Sequence, residues 1–195
     1  FAHSNGNQTS DKANFDNLGA AQAAAGLTPP TLTAAAGATV DAPFNVTFTD
    51  DATWRAAITS IKVEGTTLTA GSSVSSGQIT FTPSASSPAA LLQTAGTKTI
   101  TVVATGYTDA TVSQTIGVGA ANKLGITTQP TAPSTNGGVL ATQPVVAIQD
   151  QYGNTTTSTA TVNAAVGAGT WTLGGTTSVA GVNGAVTYAG LTATS

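Results

Sequence analysis

The chain has 195 residues, of which 40% are hydrophobic and only 7% are charged, with a formal net charge of −3. This length suits one large domain or two small ones with cores of their own, and five Lys and Arg residues without a basic cluster argue against nucleic-acid binding. The absence of Cys and Met, with His3 as the single histidine, excludes thiolate catalysis, His-based triads and structural zinc sites.

Residues 1–29 predict a linker. The segment is polar at first and then Ala-rich, which predicts a short helix at 17–26. Pro29 and Pro30 cannot continue that helix, so they mark a boundary. No run in the chain reaches the ~18 to 20 apolar residues of a membrane span, and the first residues lack the basic-then-apolar order of a signal peptide.

Residues 30–119 predict a first β module. In "PFNVTFTD", Phe44 and Val46 point one way while Asn45 and Thr47 point the other, which is typical of a strand with one wet face. The same alternation recurs in "QITFTP", "TKTITVVATGY" and "ATVSQTIGV", and turn residues separate these segments. Several short strands at this spacing predict a small antiparallel sandwich.

The stretch "FTDDATWRAAITSIKVEG" holds much of the charge of the first module. Asp51 stands where the N-cap of a short helix through "ATWRAA" belongs, Trp54 is expected to turn inward, and Arg55 can pair with Asp50 or Asp51. This scaffolding interpretation competes with a second one, in which Asp50, Asp51, Trp54 and Arg55 form a ligand or interface cluster. General acid-base catalysis needs a second suitable group nearby, and the sequence predicts none.

Residues 120–195 predict a second, incomplete β module after the link "GAAN". Asn183-Gly184, flanked by Val182 and Val186, is the strongest hairpin signal in the chain, because both residues accept the positive φ that a tight turn requires. A sandwich of this kind needs a further strand after "GAVTYAGLTATS" to cover its sheet edge. We expect that edge to be filled by sequence beyond Ser195 or by a strand of a neighbouring copy.

The segment "QDQYGN" of the second module places Asp150 and Asn154 around a glycine. Their oxygens are candidate calcium ligands. Calcium takes six to eight oxygens, however, and only one carboxylate is present, so a plain turn is the preferred interpretation.

Two blocks of the first module, "FTDDATWRAAITSIKVEGTTLTAG" and "LLQTAGTKTITVVATGYTDATVSQTI", closely resemble the haemoglobin-interacting domain family over roughly residues 30–118. The resemblance implies an immunoglobulin-like module of large secreted or surface-anchored bacterial proteins. Residues 120–195 more loosely resemble a bacterial immunoglobulin-like repeat of the invasin and adhesin-stalk type. Haem ligation is disfavoured despite the family name, because His3 lies outside the matched region and Tyr107, at a strand end, suits corner packing better.

The sequence therefore predicts an all-β chain of two tandem immunoglobulin-like sandwiches with no enzymatic activity and no cofactor. The expected role is a structural segment of a surface layer, filament or adhesin stalk at the bacterial cell surface, with neighbouring copies or other modules as partners. The alternative is a binding module for a host protein or carbohydrate within a larger secreted receptor or hydrolase.

Overall fold

The computed structural model describes residues 26–195. His3 lies outside the described residues, and so does the helix predicted at 17–26 apart from its last position. The described part is all-β with antiparallel sheets and few helices, which confirms the predicted class. Within it, no helix is long and apolar enough to cross a membrane.

The elements up to Gly117 are β1 (Phe44–Thr47), α1 (Ala52–Ala57), β2 (Ile58–Val63), β3 (Thr66–Thr67), β4 (Ser72–Ser75), β5 (Gln78–Phe81), α2 (Ala90–Gln93), β6 (Gly96–Ala104) and β7 (Ala110–Ile116). A 3₁₀ turn, Pro83–Ala85, lies between β5 and α2. The strands form two antiparallel sheets with the orders β1-β5-β4 and β3-β2-β6-β7. The alternation predicted for β1 is confirmed, since Phe44 and Val46 are buried while Asn45 and Thr47 are exposed.

These two sheets share one hydrophobic core. Val46 and Ile79 are register partners in one sheet, Ile61 and Val102 are partners in the other, and all four belong to one cluster of 18 buried residues. Burying each such side chain contributes about 1.5–3 kcal/mol. Trp54 of α1 is the largest fully buried member of this core.

The strands after Gly117 are β8 (Lys123–Thr128), β9 (Val145–Gln149), β10 (Thr161–Asn163), β11 (Thr172–Gly174), β12 (Ser178–Ala180), β13 (Ala185–Thr187) and β14 (Thr192–Thr194). They form three smaller antiparallel sheets with the orders β13-β9-β8, β10-β12 and β11-β14. Their core is much smaller than the first, with six buried residues in its cluster.

The hairpin predicted at Asn183-Gly184 is present only as a tight turn. Both residues have positive φ, 48° and 75°, and Val182 and Ala185 exchange backbone hydrogen bonds of 2.8 and 3.0 Å around them. The strands on either side do not pair with each other, however, because β12 pairs with β10 and β13 pairs with β9. The turn therefore passes the chain from one sheet to another.

Candidate functional site

The charged cluster of the first module begins with a capped helix. Asp51 is the N-cap of α1, and its Oδ1 accepts hydrogen bonds from the backbone N–H groups of Thr53 and Trp54 at 2.9 and 3.0 Å. These bonds satisfy two of the N–H groups that a helix start leaves without an intrahelical partner. The predicted cap is present, and the Asp51 carboxylate is engaged in hydrogen bonds to its own helix.

Asp50 joins the start of this helix to the turn between β4 and β5. It accepts two hydrogen bonds from the Arg55 guanidinium, at 2.8 and 3.2 Å, one from the Ser76 hydroxyl at 2.7 Å and one from the Gly77 N–H at 3.1 Å. The hydrogen bond from Arg55, followed by that from Ser76, holds the pKa of the Asp50 carboxyl below its ordinary value. Asp50 and Arg55 therefore form an ion pair, and the Asp50 carboxylate also binds the turn between β4 and β5.

Trp54 points into the core, as predicted, and is fully buried. Its ring meets that of Phe48 edge to face, with centroids 5.0 Å apart. Its indole N–H has no hydrogen-bond partner among residues 26–195. A buried indole cannot contact an external partner, so only Asp50, Asp51 and Arg55 of the predicted cluster are placed where a ligand could reach them.

The second group of polar residues centres on Asp150, which follows β9 directly and is fully buried. Its Oδ1 accepts from the backbone N–H groups of Tyr152 and Asn154, both at 2.9 Å. Its Oδ2 accepts from the Gly119 N–H at 3.0 Å and from the Asn154 side-chain amide at 2.8 Å. Burial opposes ionisation of this carboxyl, but the hydrogen bonds from Gly119, Asn154 and Tyr152 outweigh it and hold its pKa below the ordinary value.

Asn154 reaches from this loop to the segment between α2 and β6. Its side-chain amide donates to the Gln93 carbonyl at 2.9 Å, and its Oδ1 accepts from the Ala95 N–H at 3.0 Å. Tyr152 packs against the larger hydrophobic core. The loop of "QDQYGN" is therefore attached to the first group of sheets.

Asp41 forms a second connection between the two regions. Its Oδ2 accepts from the Ala120 N–H at 2.6 Å, and its Oδ1 accepts from the Gln151 side-chain amide at 3.0 Å. Together with the bonds of Asp150 and Asn154, this connection forms a polar network that we call the joint: Asp41, Gln93, Ala95, Gly119, Ala120, Asp150, Gln151 and Asn154. Its contacts span up to 110 positions in the chain.

The geometry of the joint does not support the calcium role considered for Asp150 and Asn154. Both carboxylate oxygens of Asp150 already accept two hydrogen bonds each from protein donors. Among the described residues, no group of three or more His, Asp or Glu side chains lies close enough to hold a metal ion. The calcium role stays a prediction without a structural counterpart.

Tyr107, the tyrosine considered for haem ligation, lies just after β6. It is partly buried and packs against the larger core, and its backbone forms an isolated bridge with Leu27. These contacts agree with the predicted corner role. Sequence patterns identified the Asp51 cap and the buried Trp54, but they missed the joint. Its one signal in the sequence is Asp150, a lone acidic residue that follows an apolar run.

The second core opens into a groove of about 420 Å³. Its lining includes Leu124 and Ile126 of β8 and Trp171, which is 36% exposed. Tyr188 lies deeper, with its hydroxyl donating to the Val162 carbonyl at 2.9 Å, and burial raises the pKa of this phenol. The groove is predominantly apolar and contains no charged lining residue.

Comparison with known families gives one match. Residues 32–117, less than half of the chain, match the family described as heme-binding protein Shr-like, Hb-interacting domain. This match confirms the resemblance predicted for the first module. No curated protein and no solved structure matches the chain. The resemblance of residues 120–195 to bacterial immunoglobulin-like repeats stays a prediction.

Proposed function

We propose that the chain is a non-enzymatic, rigid segment of a bacterial cell-surface protein, in which two immunoglobulin-like modules, residues 30–119 and 120–195, are held in a fixed relation by the joint. The family match of residues 32–117 supports the surface setting. In this role the chain spaces or presents other parts of a surface layer, filament or adhesin stalk, and its partners are neighbouring modules or copies.

The observation that carries this proposal is the direct hydrogen bonding between the modules. Modules connected by a short linker move relative to one another by default, unless their interface holds them. Here the buried carboxylate of Asp150 accepts a hydrogen bond from the Gly119 N–H in the link. The side chain of Asn154 donates to the Gln93 carbonyl and accepts from the Ala95 N–H. A buried carboxylate with all its hydrogen bonds satisfied strongly favours one arrangement of the two modules, because separating them would leave the carboxylate without some of its donors.

Distance measurements between spin labels test this rigidity. The chain has no native cysteine, so Ser73→Cys and Ser178→Cys, both exposed, place one label in each module. We expect one narrow distance distribution, and Asn154→Ala should broaden it because the joint loses both its contacts to the segment before β6. Asn45→Ala, on the exposed face of β1, is the matched control. A broad distribution in the unsubstituted background contradicts the proposal.

A second candidate function is binding of a host protein, and the family match favours haemoglobin in particular. The partner would be the globin surface, since residues 26–195 contain no His, Cys or Met to ligate haem iron, and Tyr107, the tyrosine considered for that role, packs against the larger core. The exposed parts of Asp50 and Arg55 belong to the matched region and remain available for contact.

Binding of the full chain to immobilised haemoglobin, with free haem titrated separately, tests this candidate. We expect saturable binding to haemoglobin and no shift of the haem absorption band. Absence of binding to haemoglobin removes this candidate and leaves the rigid-segment proposal in place. A glycan partner has weaker support, because Trp171 is the one exposed tryptophan of the pair and a sugar platform needs coplanar aromatic rings.

A further inference from the structure

Strand β8 ends its sheet without a neighbour on its outer side. The sheet has the order β13-β9-β8, and among the described residues no strand pairs with the outer edge of β8. An edge of this kind presents unpaired backbone N–H and C=O groups to any extended chain that approaches it. Natural proteins protect such edges with charges, prolines, bulges or covering segments.

The protection of β8 is confined to its two ends. Lys123 stands at the first position, and its Nζ donates to the Gln151 carbonyl at 3.0 Å, which draws the charge away from the outer side. A register shift lies between Ile126 and Thr128, and Pro130 follows the strand. The central residues Leu124, Gly125 and Ile126 include no charged residue and no proline, and the register shift lies beyond them.

The core-side face of β8 is apolar, and residues 26–195 leave it largely uncovered. Leu124 and Ile126 are the register partners of Ile148 and Val146, which are buried in the second core. They therefore point to the core side of the sheet, yet each is 56% exposed. Adjacent apolar side chains with this exposure are typical of a surface that another element contacts.

The apolar character of the β8 edge indicates which kind of strand can pair with it. The neighbouring groove contains no charged side chain, so an occupant with charges beside Leu124 and Ile126 would lose their hydration without compensation. A strand with apolar side chains at alternate positions on one face fits, and β8 has this pattern at Leu124 and Ile126, with its one charged residue, Lys123, at the end of the strand. Two copies of one edge can meet through a two-fold axis, because that contact is self-complementary.

We propose that β8 is a self-association edge, on which β8 of a second copy adds antiparallel with Gly125 opposite Gly125 of that copy. This register places Leu124 opposite Ile126 of the second copy on both sides of the axis. It also places Lys123 opposite Thr127 of the second copy, so no like charges face each other. A shift of two residues toward the amino end in each strand would bring the two Lys123 side chains together.

The resulting sheet runs β13-β9-β8 in one copy and β8-β9-β13 in the other. The apolar pairs formed across the axis reduce the exposure of all four Leu124 and Ile126 side chains. This inference deepens the proposed assembly function and rests on it for the choice of a second copy as partner. No residue of β8 belongs to the joint, and the one bond between them, from Lys123 to the Gln151 carbonyl, starts at the end of the strand and not at Leu124, Gly125 or Ile126.

Single-cysteine crosslinking of the full chain tests the register, because the chain contains no cysteine of its own. Gly125→Cys places a thiol on the axis, and the atoms nearest to a side chain there belong to the far end of the flexible Gln149 side chain, which can move aside. We expect rapid oxidation to a disulfide-linked dimer. Val182→Cys is the control, since Val182 is 70% exposed on a turn away from β8, and it should crosslink slowly.

Sedimentation equilibrium tests the contact energy without a covalent bond. We expect a concentration-dependent dimer, at least a tenfold weaker association for Ile126→Lys, and no change for Val182→Lys. Circular dichroism checks that each variant is folded. A chain that stays monomeric up to about 1 mM, the weak limit of specific association, overturns the inference but not the rigid-segment proposal. A dimer that Ile126→Lys leaves intact, or that Gly125→Cys does not crosslink, overturns it as well.

Discussion

The carboxylate of Asp150 accepts a hydrogen bond from the backbone N–H of Gly119 at 3.0 Å, although the two residues are 31 positions apart. Gly119 lies in the link between the two proposed modules, and Asp150 lies at the end of β9. One buried side chain therefore fixes the path of the link with respect to the second module. The same carboxylate orders its own loop through Tyr152 and Asn154, so the link and the loop depend on one group.

Asp150→Asn should destabilise the chain by about 2–3 kcal/mol, because the introduced amide group presents N–H donors to backbone N–H groups that need an acceptor. Chemical denaturation followed by circular dichroism measures the free energy of unfolding. Asp109→Asn makes the same change of charge at an exposed position and should have little effect. Equal stabilities for the two variants would show that the carboxylate of Asp150 is not needed to hold the link.

The same carboxyl predicts a loss of stability in acid. Its pKa in the folded chain lies below the ordinary value of 3.8, so the unfolded chain takes up a proton first as the pH falls. The stabilisation is therefore complete above pH 3.8 and disappears as the pH falls through the lower folded value. Unfolding measured between neutral pH and pH about 2 should show this decline, and Asp150→Asn should have a flatter profile.

Asp50 contributes to the acid profile with the same sign, since its pKa is also lowered, chiefly by the hydrogen bond from Arg55. The double variant Asp50→Asn and Asp150→Asn should therefore be flatter than either single variant. If the free energy of unfolding of the double variant depends on pH as steeply as that of the unsubstituted chain, the acid sensitivity comes from other carboxyl groups.

Much of the first module could be predicted from the sequence, because its strands have one buried and one exposed face. The alternation of Phe44, Asn45, Val46 and Thr47 is a local signal, and the structure follows it. Strand β4 gave no such signal, since its burial pattern has no buried position, and it forms only because β5 provides a partner. Pairing of this kind is a property of the folded sheet and not of the segment.

The joint could not be predicted for a related reason. Asp41 and Gln151 are 110 positions apart, and neither belongs to a motif. The motif around Asp150 was correctly interpreted as a turn, but the turn does not reveal which backbone groups its carboxylate will meet. Only the relative placement of the two groups of sheets brings Gly119, Gln93 and Ala95 to that loop.

Asp51→Ala tests the scaffolding interpretation of the charged cluster. Loss of an N-cap acceptor costs about 1 kcal/mol, because the N–H groups of Thr53 and Trp54 lose their partner. Asp51→Ser keeps an acceptor and should recover most of that stability. Thermal unfolding measures both. If Asp51→Ala leaves the stability unchanged but alters binding of a partner, the interpretation as a ligand cluster gains the support that the geometry does not give it.

The two tryptophans should respond differently to a soluble quencher. Trp54 is fully buried and Trp171 is 36% exposed, so acrylamide should quench only part of the intrinsic fluorescence. Trp171→Phe should leave an emission that is blue-shifted and nearly unquenchable, because it comes from Trp54 alone. Trp54→Phe should leave only the emission of Trp171, which acrylamide can quench. Quenching of the whole emission in the folded chain would contradict the burial of Trp54 in the first core.

Three glycines separate the cost of backbone conformation from the cost of a steric clash. Gly184 has a φ of 75°, and an added Cβ would collide with the backbone of Thr156. Gly190 has a φ of 73° but open space around it, and Gly167 has open space without a positive φ. We expect no effect for Gly167→Ala, about 1–2 kcal/mol of destabilisation for Gly190→Ala from the left-handed conformation, and a larger loss for Gly184→Ala.

The order of these three variants is the informative quantity, since it does not depend on the absolute size of the strain. Denaturant midpoints at constant slope give this order directly. The tight turn at Asn183-Gly184 passes the chain between two sheets, so Gly184→Ala should also loosen the pairing of β13 with β9, measured by hydrogen exchange of Val146 and Val186. Equal losses for Gly190→Ala and Gly184→Ala would mean that the chain around Thr156 moves aside, and that the turn does not hold the second module together.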